Sequence, residues 1–144
     1  MTSKAPPLAL VVDDNRLIAN NLVKMLTLLG YEAHAVHGAL PAMQVLEANV
    51  PELVLLDIHL QGVNGVDICK FIRRNKRLTF TLVVGMSSDT QPELISGMRQ
   101  AGANGFLAKP IQVEVLEQAL ADARADMVRR VNEWATTRPL GTQQ

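Results

Sequence analysis

The segment Leu8-Ala9-Leu10-Val11-Val12-Asp13-Asp14 sets the architecture. Five consecutive apolar residues leave no face for water, which is the pattern of a strand buried on both sides of a parallel sheet. The run ends in two carboxylates. In a parallel α/β sheet the carboxyl ends of the strands are where ligands bind, so charge at that edge points to a site.

The next residues change period. Leu17, Ile18, Leu22, Met25, Leu26 and Leu29 recur at helical spacing, and Gly30 offers a stop. Tyr31 to Val36 reads as a second strand and Leu40 to Ala48 as a second helix. A third strand, Leu53-Val54-Leu55-Leu56, runs straight into Asp57. A turn-rich stretch with Gly62, Asn64 and Gly65 leads to a third helix through Val66, Cys69, Phe71 and Ile72. Phe80 to Met86 is the fourth strand. A fourth helix opens near Pro92 and closes at Gly102, Gly105 to Ala108 is the fifth strand, and a last helix follows Pro110. Five strands alternating with five helices define an α/β, doubly wound parallel sheet covered on both faces.

The length, 144 residues, fits one domain. Residues 1–7 read as a flexible N-terminus, 8–123 as the domain, and 124–144 as an extension of the last helix with a tail frayed from Thr136. Fourteen Lys and Arg offset fourteen Asp and Glu, which gives no overall electrostatic footprint for nucleic acid. Met1 to Pro7 lacks the apolar core of a signal peptide, and no apolar run is long enough to span a membrane. A cytoplasmic location is expected. The one cysteine, Cys69, excludes an internal disulfide and a thiolate metal cluster, and reads as a small buried apolar residue. His34, His37 and His59 lack zinc-binding spacing, and His34 and His37 read as surface residues.

The polar residues that end the strands carry the chemistry. Asp13 and Asp14 end the first, Asp57 the third, Ser87 the fourth and Lys109 the fifth. The second strand ends in nothing comparable, as suits an edge. Three neighbouring carboxylates repel one another unless a pKa rises or a cation binds. An all-oxygen cluster suits a hard ion such as Mg²⁺, which takes one or two carboxylates and keeps waters or phosphate oxygens. Lys109 and Ser87 suit phosphate oxygens, and a carboxylate can accept a phosphoryl group as an aspartyl-phosphate. Taken singly, Asp14 is as well read as a helix cap, Ser87 as a turn residue and Lys109 as a solvated charge. Capping does not explain all five at one sheet edge.

The pattern Val11-Val12-Asp13-Asp14-Asn15, Leu55-Leu56-Asp57 with Gly65 beyond, Met86-Ser87 and Ala108-Lys109-Pro110 resembles the response-regulator receiver family of two-component signalling, over about Leu8 to Ala123. The resemblance implies a flavodoxin-like strand order, 2-1-3-4-5. It implies that Asp57 is the phospho-acceptor, served by a sensor histidine kinase or a phosphotransfer protein. Asp14, Asp57 and the backbone carbonyl of His59 would ligate Mg²⁺, with Asp13 acting mainly through water. Ser87 and Lys109 would hold the phosphoryl oxygens, the Lys109-Pro110 bond is expected to be cis, and Phe106 takes the aromatic switch position. The signal would leave through the face of helix 4, strand 5 and helix 5 to an unnamed downstream protein. The implied role is a switch, not an enzyme beyond its own phosphorylation and slow dephosphorylation. Leu60-Gln61 and Ser88 depart from the commonest family residues without removing a required group.

A Mg²⁺-dependent phosphohydrolase is a rival reading, but it needs a second carboxylate two residues beyond its nucleophile, where His59 stands. A degenerate receiver used only for docking is another, and the intact acidic set opposes it. In the last helix Leu116, Leu120, Ala123, Met127, Val131 and Trp134 continue an apolar stripe. Either the helix curls back to finish its own core, or the stripe meets a partner, a second copy in a homodimer, or another domain.

Overall fold

A computed structural model describes residues 5–137. Its main strands are β1 (Leu8–Val12), β2 (Glu32–Val36), β3 (Leu53–Asp57), β4 (Leu82–Ser87) and β5 (Gly105–Ala108). The helices are α1 (Arg16–Leu28), α2 (Ala39–Ala48), α3 (Gly65–Arg74), α4 (Pro92–Gln100) and α5 (Val113–Thr137). The strands form one parallel sheet in the order β2-β1-β3-β4-β5, which is the order the family resemblance implies.

Strand alternation divides the core into two layers. Leu10, Val12, Val54 and Leu56 face α2, α3 and α4, packing with Leu46, Ile68, Ile72 and Met98. Ala9, Val11, Leu53 and Leu55 face α1 and α5, packing with Leu22, Leu26, Leu116 and Leu120. Both faces of β1 and β3 are therefore dry, which is why their sequences show no polar alternation. β2 lies at the edge and is partly exposed.

Several boundaries differ from the sequence reading. β4 starts at Leu82 rather than Phe80. The Thr81 amide closes a turn onto the Leu78 carbonyl, and Phe80 is left exposed. Its apolar run is a surface feature before the strand, which periodicity cannot separate from the strand itself. A short helical turn, Lys76–Leu78, precedes it. The turn-rich stretch after Asp57 contains a two-residue antiparallel ladder, His59–Leu60 against Val63–Asn64. Thr136 and Thr137 are helical, not frayed, and their hydroxyls bond back to Glu133. The rest of the expected tail and most of the expected N-terminal segment lie outside the described residues. Pro7 is anchored, its carbonyl accepting from the Glu32 amide.

Cys69 is buried, as read. Asn15, not Asp14, caps α1, its side chain accepting from the Ile18 amide at 3.0 Å.

Candidate functional site

Three backbone hydrogen bonds and one strand register bring the carboxyl edge together. Asp13 N–H donates to the Val36 carbonyl, holding the end of β1 against β2. Asp57 ends β3 in register with Met86, and the Ile58 N–H donates to the Met86 carbonyl. The Lys109 N–H donates to the Ser87 carbonyl, which sets Lys109 beside the end of β4. The Lys109-Pro110 peptide is cis. α3 can begin close behind β3 only because residue 65 is Gly. A Cβ there would sit 2.6 Å from the Asp57 carbonyl oxygen and 2.8 Å from Ile58 Cα.

The result is a shared ammonium. Lys109 Nζ lies 2.7 Å from Asp13 Oδ2 and 3.3 Å from Asp57 Oδ2. Asp13 and Asp57 are both buried. Asp57 Oδ1 accepts the His59 amide at 3.0 Å, and Asp13 Oδ1 accepts the Asn15 amide at 2.9 Å. Asp13 Oδ2 is ion-paired with Lys109 and, among the described residues, has no hydrogen bond besides that contact. Burial pushes the Asp57 carboxyl above its ordinary range. The His59 amide and Lys109 pull against that push, and the Asp13 charge adds to it.

Asp14 is placed differently from the expected crowding of three carboxylates. It is half-buried, and its Oδ2 accepts the Gln61 amide. That N–H sits in the turn of the small ladder, and an amide without a sheet partner is drawn to a charged acceptor. Asp14 therefore bridges the loops after β1 and β3. Among the described residues no three Asp, Glu, His or Cys side chains cage a metal by themselves. Asp13, Asp14, Asp57, Ser88 and Lys109 nevertheless line one cleft of about 470 Å³, whose other wall is Ile18, Leu22, Met25, Pro110 and Ile111.

The donor set fits Mg²⁺. Asp13, Asp14 and Asp57 bring only oxygen donors to one cleft, and a hard cation needs only one or two carboxylates beside waters.

Ser87 ends β4, buried, with its Oγ accepting the Asp89 amide at 2.9 Å. Its own proton remains for another acceptor. Ser88 is the serine that lines the cleft. Phe106 is half-buried at the β5 edge of the sheet and packs against the layer under α3 and α4. His59 exposes its ring and contributes its amide. His34 is exposed beside Glu32, as read. His37 is not a plain surface residue. Half-buried, it has Nδ1 3.0 Å from the Asp13 carbonyl, and because a carbonyl only accepts, that nitrogen carries the proton.

A doubly wound parallel sheet in this order, with two buried aspartates sharing one lysine at its carboxyl edge, defines an α/β module of the flavodoxin-like type. The family model described as the response regulator receiver domain matches residues 9–121, and the chain belongs to that family. Such domains act in two-component signalling, take a phosphoryl group on Asp from histidine kinases or phosphotransfer proteins, and generally use Mg²⁺. They are signalling modules rather than ordinary enzymes.

The sensory/regulatory protein RpfC of Xanthomonas campestris pv. campestris is 34% identical over 135 residues, covering 92% of this chain and 18% of that protein. The transcriptional regulatory protein AfsQ1 of Streptomyces coelicolor is 29% identical over 91% of this chain and 55% of that one. The chain thus spans about half or less of these relatives. Among solved structures, chemotaxis protein CheY4 of Vibrio cholerae has a TM-score of 0.78 at 24% identity, over 83% of this chain and 99% of that chain. A Burkholderia pseudomallei response regulator, solved with a phosphorylated aspartic acid, a calcium ion and citrate, has a TM-score of 0.75 at 23% identity, over 92% and 75%. At these identities the two structures speak for the fold alone.

Proposed function

We propose that Asp57 is the phospho-acceptor of a switch comprising residues 8–123. The observation that carries this reading is the Lys109 ammonium, 2.7 Å from Asp13 and 3.3 Å from Asp57 at the carboxyl edge of the sheet. In the transfer, an Asp57 carboxylate oxygen bonds to phosphorus and the phosphorus–nitrogen bond of a phosphohistidine breaks. The imidazole nitrogen leaves with the electron pair. Asp14, Asp57 and the His59 carbonyl would hold Mg²⁺, with Asp13 acting through water. When bound, the ion neutralises charge on the phosphoryl oxygens.

Lys109 leaves its carboxylate partners for a phosphoryl oxygen, and the free Ser87 proton bonds another. Drawing Ser87 toward the phosphate opens space that Phe106 fills by rotating, and the α4, β5 and α5 face changes shape. Phe106 lacks a hydroxyl, so packing alone sets its two positions. The donor is a sensor histidine kinase or a phosphotransfer protein in the cytoplasm, and the output is contact with a downstream protein. For the last helices a homodimer is one arrangement and contact with an unlike partner another.

Asp57→Ala is expected to abolish labelling by an acyl phosphate such as acetyl phosphate in the presence of Mg²⁺. Undiminished labelling in that variant would move the acceptor elsewhere.

A further inference from the structure

The end of the sheet opposite Asp57 carries a second concavity. It is a groove of about 440 Å³ between α5 and the segment before β4, lined chiefly by Phe80, Met127, Val131 and Trp134, with Arg73 and Arg130 on its walls. Phe80 is 68% exposed and Trp134 60%. Two such aromatic faces on one concave surface are a feature of interaction sites rather than of scattered surface apolar residues.

The groove is built on a rigid base. Asn104 Oδ1 accepts from the Val83 amide and from Arg73, and its Nδ2 donates to Asp126 Oδ2 at 3.0 Å. Arg129 and Arg130 each reach Asp126 at 2.7 Å, and Arg130 also donates to the Ala103 carbonyl. The wall formed by α5 is therefore fixed to α3, β4 and the start of β5.

Its charge is one-sided. The two charged residues that line it, Arg73 and Arg130, are both basic, and Arg74, Lys76 and Arg129 stand in the framing segments with the acidic Asp126 and Glu133. This local excess of positive charge sits in a chain whose total is zero. A second copy docked groove to groove would set like charges against each other, which is costly at an interface. Phosphate-rich strands match the charge but not the aliphatic Met127 and Val131 on the walls. An amphipathic helix matches both, with apolar residues at i, i+3, i+4 and i+7 entering the groove and carboxylates along its flanks.

We propose that this groove is a docking site for an acidic amphipathic helix of a partner protein, separate from the phosphoryl site.

Trp134 is the only tryptophan in the chain, so its fluorescence reports the groove directly. The probe is a synthetic helix-forming peptide with Leu and Phe at i, i+3, i+4 and i+7 and Glu on its flanks. A Lys-flanked twin serves as the control. The expected result is a saturable change in Trp134 emission with the Glu peptide, weakened by salt and weakened about tenfold or more by Val131→Glu or by Phe80→Ala. Both substituted residues are exposed, and retained labelling of Asp57 by acetyl phosphate verifies that each variant folds. Absence of a saturable change overturns the proposal, as does equal binding of the Lys peptide. It is also overturned if single-stranded oligonucleotide binds in place of the Glu peptide, or if sedimentation shows a wild-type dimer that Val131→Glu dissociates.

Discussion

Asp57 carries an electrostatic conflict, with burial set against its charge and the His59 amide and Lys109 supporting it. Burial raises its pKa, so the fold holds the ionised carboxyl less favourably than the unfolded chain does. Because the folded value lies above the unfolded one, this group's contribution to stability falls as pH rises through the interval between them. Asp57→Asn is therefore expected to raise the urea midpoint measured without divalent ions at neutral pH. The gain should shrink as pH drops below the ordinary carboxylate value, and an unchanged or lower midpoint at neutral pH would contradict this electrostatic reading. Gly65 shows a steric constraint next door. With a Cβ placed 2.6 Å from backbone, Gly65→Ala should destabilise by about 1–3 kcal/mol, read as a lower denaturation midpoint with unchanged slope. At this scale Asp13, Asp57 and Lys109 were legible, because residues ending strands of a parallel sheet must share an edge. The partner of Asp14 was not. Its bond to the Gln61 amide joins residues 47 positions apart and depends on loop geometry that no periodicity encodes.

Among the elements, α5 departs most from what its sequence showed. Leu116, Leu120 and Ala123 finish the core layer, in line with one of the two readings of the stripe. Past them the helix is held by a buried acid. Desolvation works against the Asp126 charge, but Asn104, Arg130 and Arg129 together hold its carboxyl below the ordinary value of 3.8. Its stabilising contribution is therefore complete above that value and lost as pH falls through the lower folded one. Asp126→Asn should cost about 1–3 kcal/mol at neutral pH, since two guanidinium partners lose their acceptor charge. In thermal melts the gap between wild type and variant should narrow as the solution is acidified below the ordinary value. A gap independent of pH would assign the loss to packing instead. Sequence reading missed this cluster because an Asp and two Arg on a helix look like a solvated face. Only the tertiary position of Asn104 turns them inward. The misplaced start of β4 has a similar origin, for Phe80 extends an apolar run while the chain is still turning.

For the molecule as a whole, the layer structure and strand order were legible because two uninterrupted apolar strands force helices onto both faces. Opposite ends of that sheet have opposite character, a buried acidic edge around Asp57 and a basic, apolar groove under α5. Among the described residues no helix is long and apolar enough to cross a membrane. In the proposed switch the acidic edge accepts a phosphoryl group on one carboxylate, that of Asp57, and the covalent product can be read directly. After incubation with acetyl phosphate and Mg²⁺, borohydride reduction converts an aspartyl-phosphate to homoserine, which peptide mass spectrometry locates. Homoserine at position 57 is the predicted result. Homoserine at position 13 or 14, or none anywhere, would contradict it.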